Sequence, residues 1–360
     1  MSGGFAALRG TAAGVRERLR AITGSLSLPQ HDALVLELDA LVSALETEPA
    51  LYRPRSGGKA GGLIDFTDAA QRAVPTVVVP DLHARWYFLL HLLEFTPPSL
   101  CGPGRSVLDL LAEGRLRVVC MGDYFHSEAR GYERWLRAYS DWLAGRPCGG
   151  AMTQEMRECV ALLRIIALLK TRFPGSFHVL KGNHENIYNR SGGGDRTFMK
   201  FVEEGEMVRD FVREYYGDAV LHLIGCYEDA LPVCAAGNNF VVSHAEPARG
   251  FTREEIIDCR RREDVVLGLT WTNNGEALPG SCAEVVRNLG ASSDPQSAWY
   301  FAGHRPIDGD YRLGQSGVFV QIHNPERENV ALIGANGSFS PEKSILSVDP
   351  AAALSEEEGT

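Results

Sequence analysis

The chain has 360 residues, is 44% hydrophobic and 23% charged, and carries a formal net charge of −10. That apolar content supports a buried core and excludes wholesale disorder, and no apolar run approaches the ~18 residues of a membrane span. The acidic balance excludes the global field of a duplex nucleic-acid binder. Eight cysteines without a C-x-x-C pair argue against a zinc ribbon and for reduced thiols, which fits a cytoplasmic protein.

Taken in chain order, Leu8, Ala12, Val15, Leu19 and Ile22 recur at helical spacing, and Leu34, Leu38, Leu41 and Leu45 repeat the pattern beyond Pro29. Residues 1–52 therefore read as a helical hairpin packed on its own catalytic domain. Arginines 9, 16, 18 and 20 also give a transit-peptide-like bias, but the helical stripe is the preferred reading. The glycine-rich stretch 53–73 reads as a linker; it lacks the G-K-[ST] ending of a phosphate-binding loop. From residue 74 short β-branched runs alternate with helical sequence: Val74–Pro80, Leu116–Met121, Phe177–Lys181, Phe240–Ser243 and Trp299–Ala302, then Gly317–His323, Val330–Gly334 and Ser344–Val348. Residues 74–348 thus read as an α/β domain with a mixed or second sheet and a helical insert at about 131–173. In that insert Trp135, Tyr139 and Trp142 make a core-facing stripe. Residues 349–360 are an acidic tail.

Five strand ends carry groups suited to hard metals: Asp81-Leu-His83, Gly122-Asp123, Gly182-Asn183-His184-Glu185, Ser243-His244 and Gly303-His304. Asp81 and His83, two apart in extended backbone, face the same way. Ligands gather beyond the carboxyl ends of strands in open α/β sheets. Carboxylate, imidazole and amide donors without thiolate suit Mn, Fe or Zn better than a structural zinc site. Any one of these pieces could be a turn or a packed histidine; their ordered combination points to a metal centre.

This ordered set resembles the calcineurin-like metallophosphoesterases, and within them the phosphoprotein phosphatase (serine/threonine phosphatase-like) branch and its bacterial relatives, over roughly residues 74–345. The family order D-x-H, G-D, G-N-H-[DE], H and G/A-H is met in sequence, and Trp271-Thr-Asn is similar to a further segment of that branch. The resemblance implies a two-layer mixed β-sheet sandwich flanked by helices. It further implies that Asp81, His83 and Asp123 hold a first metal and that Asp123, Asn183, His244 and His304 hold a second, with Asp123 bridging. His184 would protonate the leaving group, and Glu185 would orient its neighbours. Gly303-His304-Arg305-Pro306 lacks the second histidine of the G-H-x-H ending seen outside the phosphatase branch. Two cations can share a hydroxide and clamp both oxygens of an in-line displacement, with no covalent intermediate.

The loop Gly122-Asp-Tyr-Phe-His126-Ser-Glu128-Ala-Arg130 departs from the branch pattern G-D-[YF]-V-D-R-G. His126 occupies the position of the Asp that supports the catalytic histidine, and Arg-Gly comes three residues late. His126 joins the catalytic set on this ground, Glu128 is a candidate partner for His184, and Arg130 is the preferred phosphate clamp. Arg305 and Arg249 are further candidates for substrate contact. The expected activity is hydrolysis of a phosphorylated substrate by a phosphomonoesterase of protein serine/threonine phosphatase type. A nucleotide or other small-molecule phosphoesterase is the alternative, and a silent metal-binding scaffold a third reading. An open site with Arg130 available would favour the first, and a site walled off by the insert the second. The sequence leaves metal identity and oligomeric state open.

Overall fold

Alternation of buried side chains sets the layers. In the strands that precede Asp81 and Asp123, Val77, Val79, Val118 and Cys120 enter one core while Val78 and Val119 enter another, as expected of strands buried on both faces. The computed structural model describes residues 11–68, 71–98 and 104–351. Its strands are β1 (Arg55–Ser56), β2 (Lys59–Ala60), β3 (Leu63–Asp65), β4 (Thr76–Val79), β5 (Arg117–Cys120), β6 (Phe177–Val179) and β7 (Cys234–Gly237). They continue with β8 (Phe240–Ser243), β9 (Trp299–Ala302), β10 (Arg312–Gly314), β11 (Phe319–Gln321), β12 (Asn329–Ile333) and β13 (Ile345–Ser347).

Two mixed sheets, ordered β13-β12-β4-β5-β6 and β10-β11-β9-β8-β7-β3, pack face to face. The layer between them holds Val78, Val119, Met121, Leu180, Val242, Phe301 and Val320. Helices cover both outer faces, so the architecture is the expected helix-flanked sandwich. β4, β5 and β6 run parallel, as do β8, β9 and β11, so the carboxyl ends within each set open at a common edge.

The helices Ala12–Thr23 and His31–Glu46 bury Val15, Leu19, Ile22, Leu34, Leu38, Leu41 and Leu45 in the same core as the insert helix Gly150–Arg172. Leu8, Cys101 and the tail from residue 352 lie outside the described residues. The other seven cysteines are free thiols. Among the described residues no helix is long and apolar enough to cross a membrane. Trp135 is fully buried, and Tyr139 and Trp142 stack at 5.8 Å.

The stretch 53–73, read as a linker, is corrected: it contributes the β1–β2 ribbon and β3, which pairs in parallel with β7. Its anchor is a buried charge network. Glu48 Oε2 accepts from Arg53 Nη1 at 2.7 Å, and Glu48 Oε1 accepts from Lys170 Nζ at 2.5 Å. Arg53 also donates to the carbonyls of Gly61 and Ala230. Removing one member of such a group strands the others in a low-dielectric interior. Lys170→Met should therefore cost about 3 kcal/mol, read as a lower urea midpoint at unchanged slope.

Candidate metal centre

The loops after β4 and β5 are zipped by backbone bonds, Leu82 N–Gly122 O (3.1 Å), His83 N–Asp123 O (2.6 Å) and Ala84 N–Tyr124 O (3.1 Å). His83 and Asp123 in these loops, and His304 after β9, sit at φ of 43°, 53° and 63°, a left-handed region that costs non-glycine residues of order 1–3 kcal/mol each. Glu185 ties the arrangement together: its carboxylate accepts from the backbone N–H of Asp123 (2.9 Å), Tyr124 (3.0 Å) and Gly182 (2.5 Å). Asp81 Oδ2 accepts from His304 N at 2.7 Å, and Asp123 Oδ1 from His184 N at 3.0 Å. Each sheet thus clamps a ligand loop of the other or of its neighbour.

The fold brings all six expected ligands together, with exposures of 0–9%. Burial holds His83 and His244 neutral, His244 near 4. His83 Nδ1 donates to His126 O (3.1 Å) and His244 Nδ1 to Met121 O (3.0 Å), so each Nε2 carries a lone pair. The His83 lone pair faces Asp123 Oδ2 at 3.6 Å and Glu128 Oε1 at 3.5 Å. The His244 lone pair faces Asn183 Oδ1 at 2.8 Å and Asp123 Oδ2 at 3.6 Å. Such facing donor atoms are relieved by a cation between them. Asp81 Oδ1 and His304 Nε2 are buried without any hydrogen-bond partner, an arrangement that is costly unless a ligand completes it. Burial, then Asp123 and Glu128, push the Asp81 carboxyl up, and burial raises Asp123 to about 8. A divalent ion would reverse both shifts. The donor chemistry of Asp81, His83, Asp123, Asn183, His244 and His304 therefore fits divalent cations.

No family model matches the chain, and no curated protein does. Among solved structures it is similar to a protein serine/threonine phosphatase from Saccharomyces cerevisiae, itself described as similar to human phosphatase PP5. The identity is 14% and the TM-score 0.60, over 92% of this chain and 95% of that one. The fold is that of a serine/threonine phosphatase. A cold-active protein-tyrosine phosphatase of a Shewanella species also matches, at 12% identity and TM-score 0.42, over 78% of this chain and 81% of that one.

In this phosphatase-type fold His184 stands at the rim of the cluster. Its ring stacks on Phe198 (4.4 Å, 14°), Nε2 lies 3.8 Å from Asp123 Oδ2, and Nδ1 has no hydrogen-bond partner. His126 lies beside His184, with ring centroids 5.4 Å apart. Its Nδ1 accepts from Glu128 N (3.1 Å), its Nε2 faces Glu204 Oε1 (3.4 Å), and its ring stacks on Trp135. With both nitrogens engaged it stands behind His83, which its carbonyl orients. Glu128 does not pair with His184 as expected; it faces His83, His323 and Lys200.

Arg130 ion-pairs with Glu158 of the insert helix, and its Nη2 donates to His83 O at 3.2 Å. Its guanidinium is thus engaged at the cluster's edge rather than free. Arg305, next to His304, is exposed and donates to Asn273 Oδ1 at 2.7 Å. Arg249 pairs with Glu255 and Asp264 and stacks on Phe251, apart from the cluster.

Sequence reasoning missed His323, two residues past β11. Its Nδ1 lies 3.8 Å from Asp81 Oδ2, and Asp81, His83 and His323 offer ligand atoms within 4.8 Å of one another. The signal existed: His323 closes the run Gly317–His323, and the strand-end rule applied to the other five runs covers it too.

Close approach explains one glycine. A Cβ on Gly303 would overlap the Asp81 carboxylate. Gly303→Ala should displace that ligand and lower kcat/KM by about a hundredfold, the cost of roughly ångström-scale misplacement, with little change in melting temperature.

Proposed function

We propose that this chain is a metal-dependent phosphomonoester hydrolase that directs water in line at phosphorus without a covalent intermediate. The observation that carries this reading is the convergence of donor atoms from Asp81, His83, Asp123, Asn183, His244 and His304, with Asp81 Oδ1 and His304 Nε2 unpartnered, beside a His184 whose Nδ1 has no hydrogen-bond partner. Two divalent ions held there, Mn, Fe or Zn by the donor chemistry, would acidify a water and offset charge on the phosphoryl oxygens. The remaining work belongs to the chain. Asp123, with Oδ2 within 3.6 Å of both His83 Nε2 and His244 Nε2, joins the two halves of the centre. His184 is placed to give a proton to the leaving oxygen through an edge not tied to the cluster. Burial keeps this imidazole neutral at rest, and an arriving phosphate dianion favours its protonation. Arg305 and Arg130 stand at the rim as candidates to orient the ester.

A second reading, hydrolysis of a nucleotide or other small phosphoester, is favoured by one feature. Arg130 is held by Glu158 of the insert, and the ligands are at most 9% exposed, which suits a small ester better than the face of a folded phosphoprotein. A panel of phosphopeptide, nucleotide and aryl phosphate, assayed with added Mn²⁺ and after chelation, tests both. Chelator-sensitive phosphate release is expected, with the preferred member naming the class. No release from any member with metal restored would contradict the proposal.

A further inference from the structure

Glu128 shares the buried, left-handed setting of Asp123. It is buried, and its backbone sits at φ 54°, a conformation that disfavours a side-chain-bearing residue and is retained only where the surroundings impose it. The backbone N–H donates to His126 Nδ1, which turns the carboxylate inward. There Oε1 lies 3.5 Å from His83 Nε2 and Oε2 3.4 Å from His323 Nε2. His83 Nε2 has no proton, because Nδ1 donates to His126 O. For His323 one nitrogen faces Glu128 and the other faces Asp81 at 3.8 Å, so whichever tautomer it takes, one lone pair points at a carboxylate oxygen. The only full positive charge that touches Glu128 among the described residues is Lys200, whose Nζ donates to Oε1 at 2.8 Å.

Lys200 is delivered by a loop built for the purpose. Glu204 accepts from the backbone N–H of Lys200 (2.9 Å), Phe201 (2.7 Å) and Val202 (3.1 Å), and Phe198 of the same loop stacks on His184. The lysine side chain is 37% exposed, so its ammonium can swing into water at little cost, unlike the buried groups it meets. A cation entering between Asp81, His83 and His323 would compete with that ammonium for the same oxygen.

Resting on the two-cation reading above, we propose that Glu128 is a further protein donor to the first metal, alongside Asp81, His83, Asp123 and His323. Lys200 is the counter-cation that it must release. This first position then has three carboxylates and two imidazoles, a harder set than the second position, and it favours Mn²⁺ or Fe²⁺ over Zn²⁺. The lysine keeps the carboxylate paired before metal arrives, and so lowers the apparent affinity of that position.

The two residues make opposite predictions, which separates ligation from folding. Metal-stripped full-length protein is titrated with Mn²⁺ by calorimetry. Wild type should take up two equivalents. Glu128→Gln should weaken one of the two by at least about tenfold and leave the other unchanged. Lys200→Met should tighten that same one by about fivefold, the worth of a partly exposed ion pair. A folding defect cannot tighten binding, so the Lys200 variant decides the matter even if the Glu128 variant proves unstable. Two wild-type affinities in Glu128→Gln, or weaker binding in Lys200→Met, would overturn the assignment while leaving the hydrolase reading intact. Wild type that takes up no Mn²⁺ would overturn both.

Discussion

Asp123→Asn should abolish turnover of an aryl phosphate, with kcat at least about a thousandfold below wild type, or several kcal/mol of lost charge stabilisation. Asp123 Oδ1 is already used by His184 N at 3.0 Å. Its Oδ2 is the single oxygen that faces His83 Nε2, His244 Nε2 and His184 Nε2, at 3.6, 3.6 and 3.8 Å. An amide at this position supplies one neutral acceptor and cannot serve both halves of the centre. Stability should move the other way. Burial raises Asp123 to about 8, so the metal-free protein holds a carboxyl that resists ionisation. A neutral isostere removes that burden. Metal-free Asp123→Asn should therefore melt no lower than metal-free wild type while its activity is gone, the trade expected where a site is strained for function. Activity within tenfold of wild type under saturating metal would contradict the role assigned to Asp123.

His184→Ala carries the second large effect, and it depends on the leaving group. General acid catalysis is worth about 10²–10⁴-fold where the departing oxygen needs a proton. An alkyl phosphate releases a strongly basic alkoxide, so the loss should approach the upper end of that range. A p-nitrophenyl ester releases a weakly basic anion and should lose far less. The ratio of the two losses is the diagnostic quantity. Equal losses for both esters would mean that His184 acts through structure, by its stacking on Phe198 and its backbone bond to Asp123, rather than by proton transfer.

The convergence of Asp81, His83, Asp123, Asn183, His244 and His304 was legible in the sequence because strand geometry is local. A β-branched run ending in glycine and a polar residue marks the end of a strand. Parallel pairing of β4, β5 and β6, and of β8 and β9, then carries those ends to shared edges. What escaped was either too short or too distant in sequence. β3 is three residues long and follows Gly61-Gly62, so it was hidden inside a glycine-rich stretch. β7, Cys234–Gly237, is built of small residues and announces no β-branched run. The partners of Glu128 and Arg130 come from elsewhere in the chain: Lys200 and His323 for the first, Glu158 for the second. No spacing rule reaches across such intervals, because they are set by how the insert helix and the 198–204 loop dock. His126 shows the same limit. Its place beside His184 follows the motif, but its stacking on Trp135 and its approach to Glu204 are set by distant segments that no spacing reveals.

If paired divalent ions at Asp123 make this chain a phosphoester hydrolase, its activity must follow its metal content. Stepwise reconstitution of the metal-stripped protein, with phosphate release followed at each addition, tests it most directly. Release should be absent without metal and reach its plateau at two equivalents per chain. Undiminished release from metal-stripped protein in the presence of chelator would contradict the account, as would a fully reconstituted protein that releases none.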